Sequence, residues 1–314
     1  MTDLPQSAAA QGARVVEVAA QAKVNLRLRI LARETTGYHQ LETLFLRLEL
    51  ADAVRVRRTA GARSLDVVGP VNGELLGPVE RNLAWRAAIA YIEASGMMGG
   101  FAIQLGKNIP IGGGLGGGSA DAGAVLRALD AMNPRPLGSR ALANVAKGLG
   151  ADVPFLTSEA PYALAWGHGE RMLALAAPPA RDVVLVVPSF AINTAEAFGW
   201  LAAREAASNG GQDDAAIFTA ETLTGWDGLA AVAHNDFAPV VAERHPVVTE
   251  HVTALRGAGF QIAMLTGSGS TVFGVAGPNQ GAAARIRALP VAREGERYIH
   301  TRTAVRVEPV VVIE

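Results

Sequence analysis

The sequence predicts a two-domain α/β protein organised around a glycine-rich loop between a strand and a helix. The chain has 314 residues, enough for two ordinary domains. Residues 101–105 (FAIQL) alternate apolar and non-apolar side chains as a strand does, and residues 122–129 carry apolar side chains at the i, i+3, i+4, i+7 spacing of a buried helix face. A change of composition at 177–181 (APPAR) predicts a domain boundary. The expected units are a loose extension over 1–13, an N-terminal domain over 14–180 and a C-terminal domain over 181–314.

The loop over 107–121 (KNIPIGGGLGGGSAD) contains six glycines and predicts an anion site. Glycines without a Cβ let backbone N–H groups crowd around one point, and a helix N-terminus adds unpaired donors and partial positive charge. We expect Ser119 to be the N-cap of the helix and Asp121 to place a negative charge in its first turn. Phosphate is the anion that suits this arrangement best.

Two other glycine-loop patterns fit these residues less well. The P-loop pattern requires a lysine after the glycines, and none follows here. Gly112, Gly114 and Gly117 satisfy the G-x-G-x-x-G pattern of dinucleotide-binding folds. However, residues 132–139 (MNPRPLGS) lack the acidic residue that this pattern requires about twenty positions on. A dehydrogenase is therefore disfavoured.

Composition argues against several other classes of protein. Half of the residues are hydrophobic, which predicts a sizeable core, yet no apolar run is long enough to cross a bilayer. The formal net charge of −1 offers no general attraction for nucleic acid. Cysteine is absent and the histidines form no H-E-x-x-H motif, which disfavours disulfides, thiolate chemistry and a structural metal site. With no signal-peptide pattern, we expect a soluble cytoplasmic protein with no membrane, nucleic-acid or obligate protein partner.

The elements of the first domain follow from periodicity and capping residues. Residues 15–31 alternate as a long strand, in which Lys23 and Asn25 have the same parity and share a face. A lone lysine in a strand is usually solvent-exposed. The other predicted elements are strand and hairpin over 48–69, a helix over 82–95 capped by Asn82, a helix over 137–149 and a β-hairpin over 162–175.

The second domain is predicted to begin with a buried strand and to contain a second glycine loop, 266–271 (TGSGST), which by itself is equally well explained as a glycine hairpin. Thr194 and Phe198 are four residues apart and share a helix face, where core or capping roles are the usual ones. The predicted elements are strands over 182–188, 260–267 and 297–312 and helices over 193–204, 216–224, 228–232, 246–257 and 278–289.

Three motifs, in this order, resemble those of the GHMP small-molecule kinases. Residues 110–120 (PIGGGLGGGSA) are similar to their phosphate loop, residues 150–154 (GADVP) to the segment with their catalytic aspartate, and residues 266–271 to their third motif. Residues 22–45 (AKVNLRLRI…TGYHQLETLF) resemble the opening of the branch that phosphorylates a cytidine-diphosphate-linked methylerythritol in non-mevalonate isoprenoid synthesis. The resemblance covers nearly the whole chain from Val15. It implies a two-domain fold: an ATP-binding N-terminal domain with a mixed sheet and helices, a smaller C-terminal α/β sandwich, and an active site in the cleft between them.

The resemblance also implies roles for individual residues. Asp152 would accept the proton of the substrate's 2-hydroxyl, and Lys23, paired with it, would offset charge on the entering oxygen. Without the resemblance, Asp152 is well explained as a turn or cap carboxylate ahead of Pro154. A tyrosine ring can stack on a base and an imidazole can read its polar edge. The residues implied in substrate binding are Asn25, Tyr38, His39, Thr194 and Phe198.

The implied cofactors are ATP and Mg²⁺, with Ser119 available to the phosphates or to the metal. Asn82 is the weakest of the implied nucleotide contacts because it is also the expected cap of its helix. Arg27 and Arg29 depart from the apolar or histidine residues often found after the A-K-[IV]-N-L motif. The residues implied in nucleotide binding are Asn82, Pro110, Ile111, Gly112, Gly113, Gly114, Leu115, Gly116, Gly117, Gly118, Ser119, Ala120, Gly267, Ser268 and Gly269.

Two alternative functions stay open at this point. One is a GHMP kinase for another small alcohol, of the homoserine or mevalonate type, but such an enzyme gives no reason for Tyr38 and His39 together with the GADVP segment. The other is a non-catalytic nucleotide- or RNA-binding module on the same scaffold. The presence of both Lys23 and Asp152, and the near-zero net charge, argue against that module.

Overall fold

The computed structural model describes residues 14–33, 39–69, 77–207, 218–278 and 282–314. Tyr38 and the extension predicted over 1–13 lie outside these ranges. In the part of the chain so described, no helix combines the length and the apolarity that crossing a bilayer requires. In chain order the elements are β1 (Val15–Arg33), β2 (His39–Thr59), β3 (Arg63–Val68), a 3₁₀ turn (Val79–Arg81), α1 (Leu83–Ser95), β4 (Gly100–Gly106), α2 (Gly117–Met132), α3 (Gly138–Lys147), α4 (Val153–Thr157), β5 (Tyr162–Gly167), β6 (Arg171–Ala174), β7 (Asp182–Val187), α5 (Thr194–Ala207), α6 (Ala220–Thr224), α7 (Trp226–Val232), β8 (His234–Asn235), α8 (Phe237–Arg244), α9 (Pro246–Gly257), β9 (Phe260–Leu265), β10 (Val272–Ala276), α10 (Ala282–Arg287), β11 (Arg297–Arg302) and β12 (Val311–Val312).

The larger sheet is built on β1 and β2, two long antiparallel strands. Its order is β12–β1–β2–β4–β3, and β2 also pairs with β5, which pairs in turn with β6. Irregularities interrupt the β1–β2 register after Gln21 and after Asn25. Between them, Lys23 lies opposite Arg47 and Asn25 lies opposite Phe45. Bulges commonly re-aim side chains beside functional sites, and these two flank the segment that carries both predicted site residues of β1.

Two predicted elements are arranged differently in the structure. Residues 48–69 do not form a hairpin, because β4 lies between β2 and β3, antiparallel to the first and parallel to the second. The closing strand predicted over 297–312 is two strands, β11 in the smaller sheet and β12 against β1. In both cases the pairing partner is distant in sequence, and alternation within one segment does not identify it.

The smaller sheet is antiparallel, with the order β11–β7–β10–β9. Its strands are covered on both faces: Val183 and Leu185 of β7 belong to the core shared with the larger sheet, whereas Val184 and Val186 pack with helices α5, α8 and α9. A short, continuously apolar strand is the pattern expected of such two-sided burial. The uninterrupted run at the start of the second predicted domain therefore has a structural cause.

Helix α2 is the central helix of the larger unit and is buried on all sides, since every residue from Ala120 to Met132 is buried. It packs against α1, α4 and β1. At Gly123 a Cβ would lie 2.5 Å from the carbonyl oxygen of Leu156 in α4. Only glycine allows this close approach, so α2 and α4 are held in one fixed relation.

The C-terminal half returns to the larger sheet beside the predicted site. Strand β8 pairs in parallel with β1, which places Asn235 opposite Leu28. The buried Asn235 amide donates to the carbonyl oxygens of Leu265 and Gly267, each at 2.9 Å, and its Oδ1 accepts from the Phe237 N–H at 2.9 Å. This one side chain ties the second glycine loop to the larger sheet.

Candidate active site

The first glycine loop is a backbone cradle made by residues in the left-handed region. Gly112, Gly114 and Gly116 have φ values of 73°, 78° and 72°, which other residues adopt only with strain. Helix α2 begins at Gly117 with Gly116 as its N-cap, so the prediction that Ser119 is the cap is wrong. Because the helix begins three residues earlier than expected, Asp121 lies beyond its first turn, and that prediction is also wrong. Loop and helix together still present unpaired N–H donors to one point.

The two glycine loops are in direct contact. The Thr271 N–H donates to the Gly113 carbonyl at 3.2 Å, and the Thr266 hydroxyl donates to the Gly114 carbonyl at 3.5 Å. A Cβ at Gly114 would lie 2.3 Å from the Thr266 carbonyl oxygen. The glycines therefore serve loop-to-loop contact as well as an anion cradle.

Lys23 and Asn25 lie on one face of β1 and are both buried, so the exposed position usual for a lone lysine does not apply. The Lys23 ammonium donates to Asn25 Oδ1 at 2.8 Å, and Asn25 Nδ2 donates to the Thr43 hydroxyl at 2.8 Å. Asn25 Oδ1 also accepts from the Gly267 N–H at 3.1 Å, and the Lys23 N–H donates to the Leu115 carbonyl at 3.0 Å. Asn25 thus orients the lysine and joins it to the second glycine loop, while the Lys23 backbone contacts the first.

Asp152 lies immediately before α4 and faces Lys23. Its carboxylate is 3.2 Å from the Lys23 ammonium, with 28% of the aspartate side chain exposed and 4% of the lysine side chain exposed. Asp152 makes no side-chain capping hydrogen bond to α4, so the capping role that the sequence also allowed is not the one it has. A paired, partly exposed carboxylate is available to a substrate hydroxyl.

A second charged cluster lies at the base of the first glycine loop, and it was not predicted from the sequence. Lys107, at the end of β4, forms ion pairs with Asp52 and Asp121, and all three side chains are buried. Asp52 also accepts the N–H groups of Asn108 and Ile109, at 2.6 and 2.8 Å. Burial raises the pKa of Asp121 to about 7, and the nearby Asp52 carboxylate acts in the same direction. Two carboxylates share one cation, and the pairing spans 55 positions in the chain, which no local motif reveals.

The predicted substrate residues of the second half gather at the other side of the cleft. His39 stacks on Phe198 with ring centroids 4.3 Å apart, and Phe198 meets Phe237 edge-on at 5.0 Å. The hydroxyls of Thr194 and Ser268 are 3.1 Å apart, which joins α5 to the second glycine loop. An aromatic wall next to hydroxyl groups suits a heterocyclic base.

Most of these groups line one cleft of about 540 Å³. Asn82 both caps α1, accepting from the Ala84 N–H at 2.9 Å, and lines the cleft. Of the described predicted site residues, Ala120, Gly269 and His39 do not line the cleft. Ala120 and Gly269 pack behind the two loops, and His39 stacks on the lining residue Phe198. The predicted site residues that line it are Lys23, Asn25, Asn82, Pro110, Ile111, Gly112, Gly113, Gly114, Leu115, Gly116, Gly117, Gly118, Ser119, Asp152, Thr194, Phe198, Gly267 and Ser268.

Comparison with known proteins finds relatives over most of the chain. Residues 82–159 match the family described as GHMP kinases N terminal domain. A 4-diphosphocytidyl-2-C-methyl-D-erythritol kinase of Pelotomaculum thermopropionicum is 37% identical over 293 residues, which is 92% of this chain and 98% of the relative. A kinase of the same name from Geobacter sp. is 36% identical over 83% of this chain and 89% of its own length.

Solved structures show the same fold. A crystal structure of a 4-(cytidine 5'-diphospho)-2C-methyl-D-erythritol kinase superposes with a TM-score of 0.72 at 33% identity, covering 92% of this chain and 99% of the other. The homoserine kinase of Cytophaga hutchinsonii superposes with a TM-score of 0.70 at 17% identity, covering 100% and 99%. At that identity the second similarity concerns the fold alone.

Proposed function

The chain belongs to the 4-diphosphocytidyl-2-C-methyl-D-erythritol kinase family of the GHMP kinases, and from this membership and the cleft we propose that it phosphorylates 4-diphosphocytidyl-2-C-methyl-D-erythritol. The γ-phosphoryl group of ATP passes to the 2-hydroxyl of the methylerythritol. The bond between that phosphorus and the bridging oxygen of ADP breaks, and ADP leaves. The product enters isoprenoid precursor synthesis by the non-mevalonate route.

ATP fits the first glycine loop. The left-handed glycines and the start of α2 offer N–H groups to the phosphates, and a Cβ at Gly112 or Gly114 would collide with Ala191 or Thr266, so larger residues would distort the cradle. Ser119 lines the cleft, so its hydroxyl is available to a phosphate oxygen or to Mg²⁺. Mg²⁺, bound mainly by the phosphates, would neutralise their charge. No group of three or more acidic, histidine or cysteine side chains in the described ranges forms a separate metal cage.

Asp152 and Lys23 perform the proton transfer and the charge stabilisation. The carboxylate accepts the proton of the attacking hydroxyl, and the ammonium 3.2 Å away offsets the negative charge that grows on the entering oxygen. Asn25 holds the ammonium in place through the 2.8 Å hydrogen bond. A positioned base typically contributes about 10²–10⁴ in rate, and the remainder comes from alignment of the two substrates.

The cytidine end of the substrate is assigned to the aromatic wall of Phe198 and His39. Phe198 supplies a ring for stacking, and Thr194 and Ser268 supply hydroxyls beside it. Tyr38 is assigned to the same pocket on its position in the sequence motif. We also propose a domain boundary between residues 180 and 181 and a cytoplasmic location for the protein.

The single observation that carries the proposal is the ion pair of Lys23 and Asp152 facing a glycine cradle across one cleft. The test is ADP release from ATP and Mg²⁺ with four acceptors: the cytidine-diphosphate methylerythritol, homoserine, mevalonate and galactose. Turnover confined to the first supports the proposal. Turnover with another alcohol would support a kinase but contradict the assignment of a cytidine pocket. No turnover with any of the four would favour a nucleotide-binding module.

A further inference from the structure

Arg47 is a buried cation that forms no ion pair with a carboxylate among the described residues, and it lies directly opposite Lys23. The two residues are cross-strand partners of β1 and β2, so their side chains project from the same face of the sheet. The Arg47 side chain is 1% exposed. Its charge is thus buried next to the proposed catalytic pair, although it does not line the cleft.

In the described part of the chain, the Arg47 guanidinium donates to backbone carbonyls around the end of α4. Its Nη2 donates to the carbonyls of Phe155 and Ser158 at 2.8 and 2.9 Å, and its Nε donates to that of Ala160 at 3.1 Å. Burial lowers the pKa of Arg47 to about 9, with the charge of Arg127 acting in the same direction. A buried arginine with three carbonyl acceptors fixes a turn of backbone, because its planar fork matches only one arrangement of them.

The helix that Arg47 fixes is the one that follows Asp152. Helix α4 is five residues long, and the Leu156 N–H donates to the Asp152 carbonyl at 3.1 Å, so the aspartate is part of the same hydrogen-bonded turn. Lys23 therefore binds one end of this short helix and Arg47 binds the other. Two stacked rings accompany these contacts: Phe155 lies 5.0 Å from the Arg47 guanidinium, and Phe45, 4.8 Å from Phe155, lies 5.6 Å from the Lys23 ammonium.

We infer that Arg47 is a positioning residue for phosphoryl transfer. By holding carbonyls at the end of α4 and just beyond it, Arg47 sets where the Asp152 carboxylate lies relative to the Lys23 ammonium. The inference rests on the proposed function, because it assigns Arg47 an effect that acts through the catalytic base. It follows from the register of β1 and β2 together with the three carbonyl contacts.

The experiment is a double-mutant cycle of Arg47→Met and Asp152→Asn, with kcat and the KM for ATP measured for each variant. In the otherwise unchanged enzyme, Arg47→Met is expected to lower kcat about 10- to 100-fold and to leave the KM for ATP within twofold, since Arg47 touches neither glycine loop. In the Asp152→Asn enzyme, Arg47→Met is expected to lower kcat less than twofold, because the group it positions is already disabled.

The matched control is Arg127→Met, which removes another buried arginine from the same region. Arg127 binds the Glu159 carboxylate at 3.1 Å and the Glu308 carbonyl at 2.7 Å but none of the carbonyls that Arg47 holds. It is expected to keep kcat within twofold. If Arg47→Met does not fold, Arg47→Lys takes its place, with a smaller loss of kcat because one ammonium cannot reach all three carbonyls in the same geometry.

Equal loss of kcat in both backgrounds would overturn the inference, because it would show a general structural effect. Unchanged kcat in Arg47→Met or in Arg47→Lys would overturn it as well. Failure of the proposed function looks different: the unmutated enzyme would not phosphorylate the cytidine substrate, or Asp152→Asn alone would retain full turnover.

Discussion

Replacing Gly114 by alanine tests whether contact between the two glycine loops is required for catalysis. Gly114 has a φ of 78°, and an alanine there carries a backbone strain of about 1–2 kcal/mol. Its Cβ would also lie 2.3 Å from the Thr266 carbonyl oxygen, so the loops must separate by about 1 Å to restore ordinary contact. A displacement of that size at a reacting centre costs about 10² in rate.

The matched control is Gly96→Ala, which separates strain from collision. Gly96 ends α1 with a φ of 64°, and a Cβ there has no neighbour within 4 Å. Both variants are expected to lose similar stability from strain, measured as Tm by scanning calorimetry, with Gly114→Ala losing somewhat more. Only Gly114→Ala is expected to lose about 10² in kcat/KM in the ADP-release assay. If it kept the kcat/KM of Gly96→Ala, the loop contact would have no catalytic importance and the reasoning would fail.

Two further variants test the aromatic wall and the buried cluster. Phe198→Ala removes the ring stacked on His39 and is expected to raise the KM for the cytidine substrate about 10-fold or more, with kcat and the KM for ATP unchanged. The control is Phe190→Ala, which breaks the similar stack on His245 away from the cleft and should leave all three constants unchanged. Equal effects of the two variants would contradict the assignment of Phe198 to cytidine binding. Burial raises the pKa of Asp121 from 3.8 to about 7, so the folded protein keeps this proton up to a higher pH than the unfolded chain does. The contribution of Asp121 to the free energy of unfolding therefore falls as the pH rises between those two values. The Tm of Asp121→Asn relative to the unmodified protein should therefore increase from pH 5 to pH 8, by the equivalent of roughly 2–3 kcal/mol; a constant difference would contradict the burial argument.

The parts of the site that lie close together in sequence could be predicted from it. Lys23 and Asn25 share a face because strand parity fixes that relation, and the glycine loop lies between β4 and α2 as expected. Even so, the helix begins at Gly117 and not after Ser119. A glycine in the left-handed region serves as its N-cap, and serine preference at caps is only a tendency.

Relations that depend on distant pairing could not be predicted. The insertion of β4 between β2 and β3, and the return of β12 to β1, depend on tertiary contacts that alternation does not encode. For the same reason the bond of Lys107 to Asp52 and the position of Arg47 opposite Lys23 appear only once the register is known. Charged residues in strands look like surface residues until a buried partner is found.

The most direct test of the central claim is the turnover of Asp152→Asn with ATP and the cytidine-diphosphate methylerythritol. Asparagine keeps the shape of the side chain but cannot accept the hydroxyl proton, so kcat should fall about 10²–10⁴-fold. ATP affinity, measured by calorimetric titration, should stay within a few-fold because the glycine cradle is untouched. Turnover close to that of the unmodified enzyme, with ATP still bound, would contradict the assignment of Asp152 as the base.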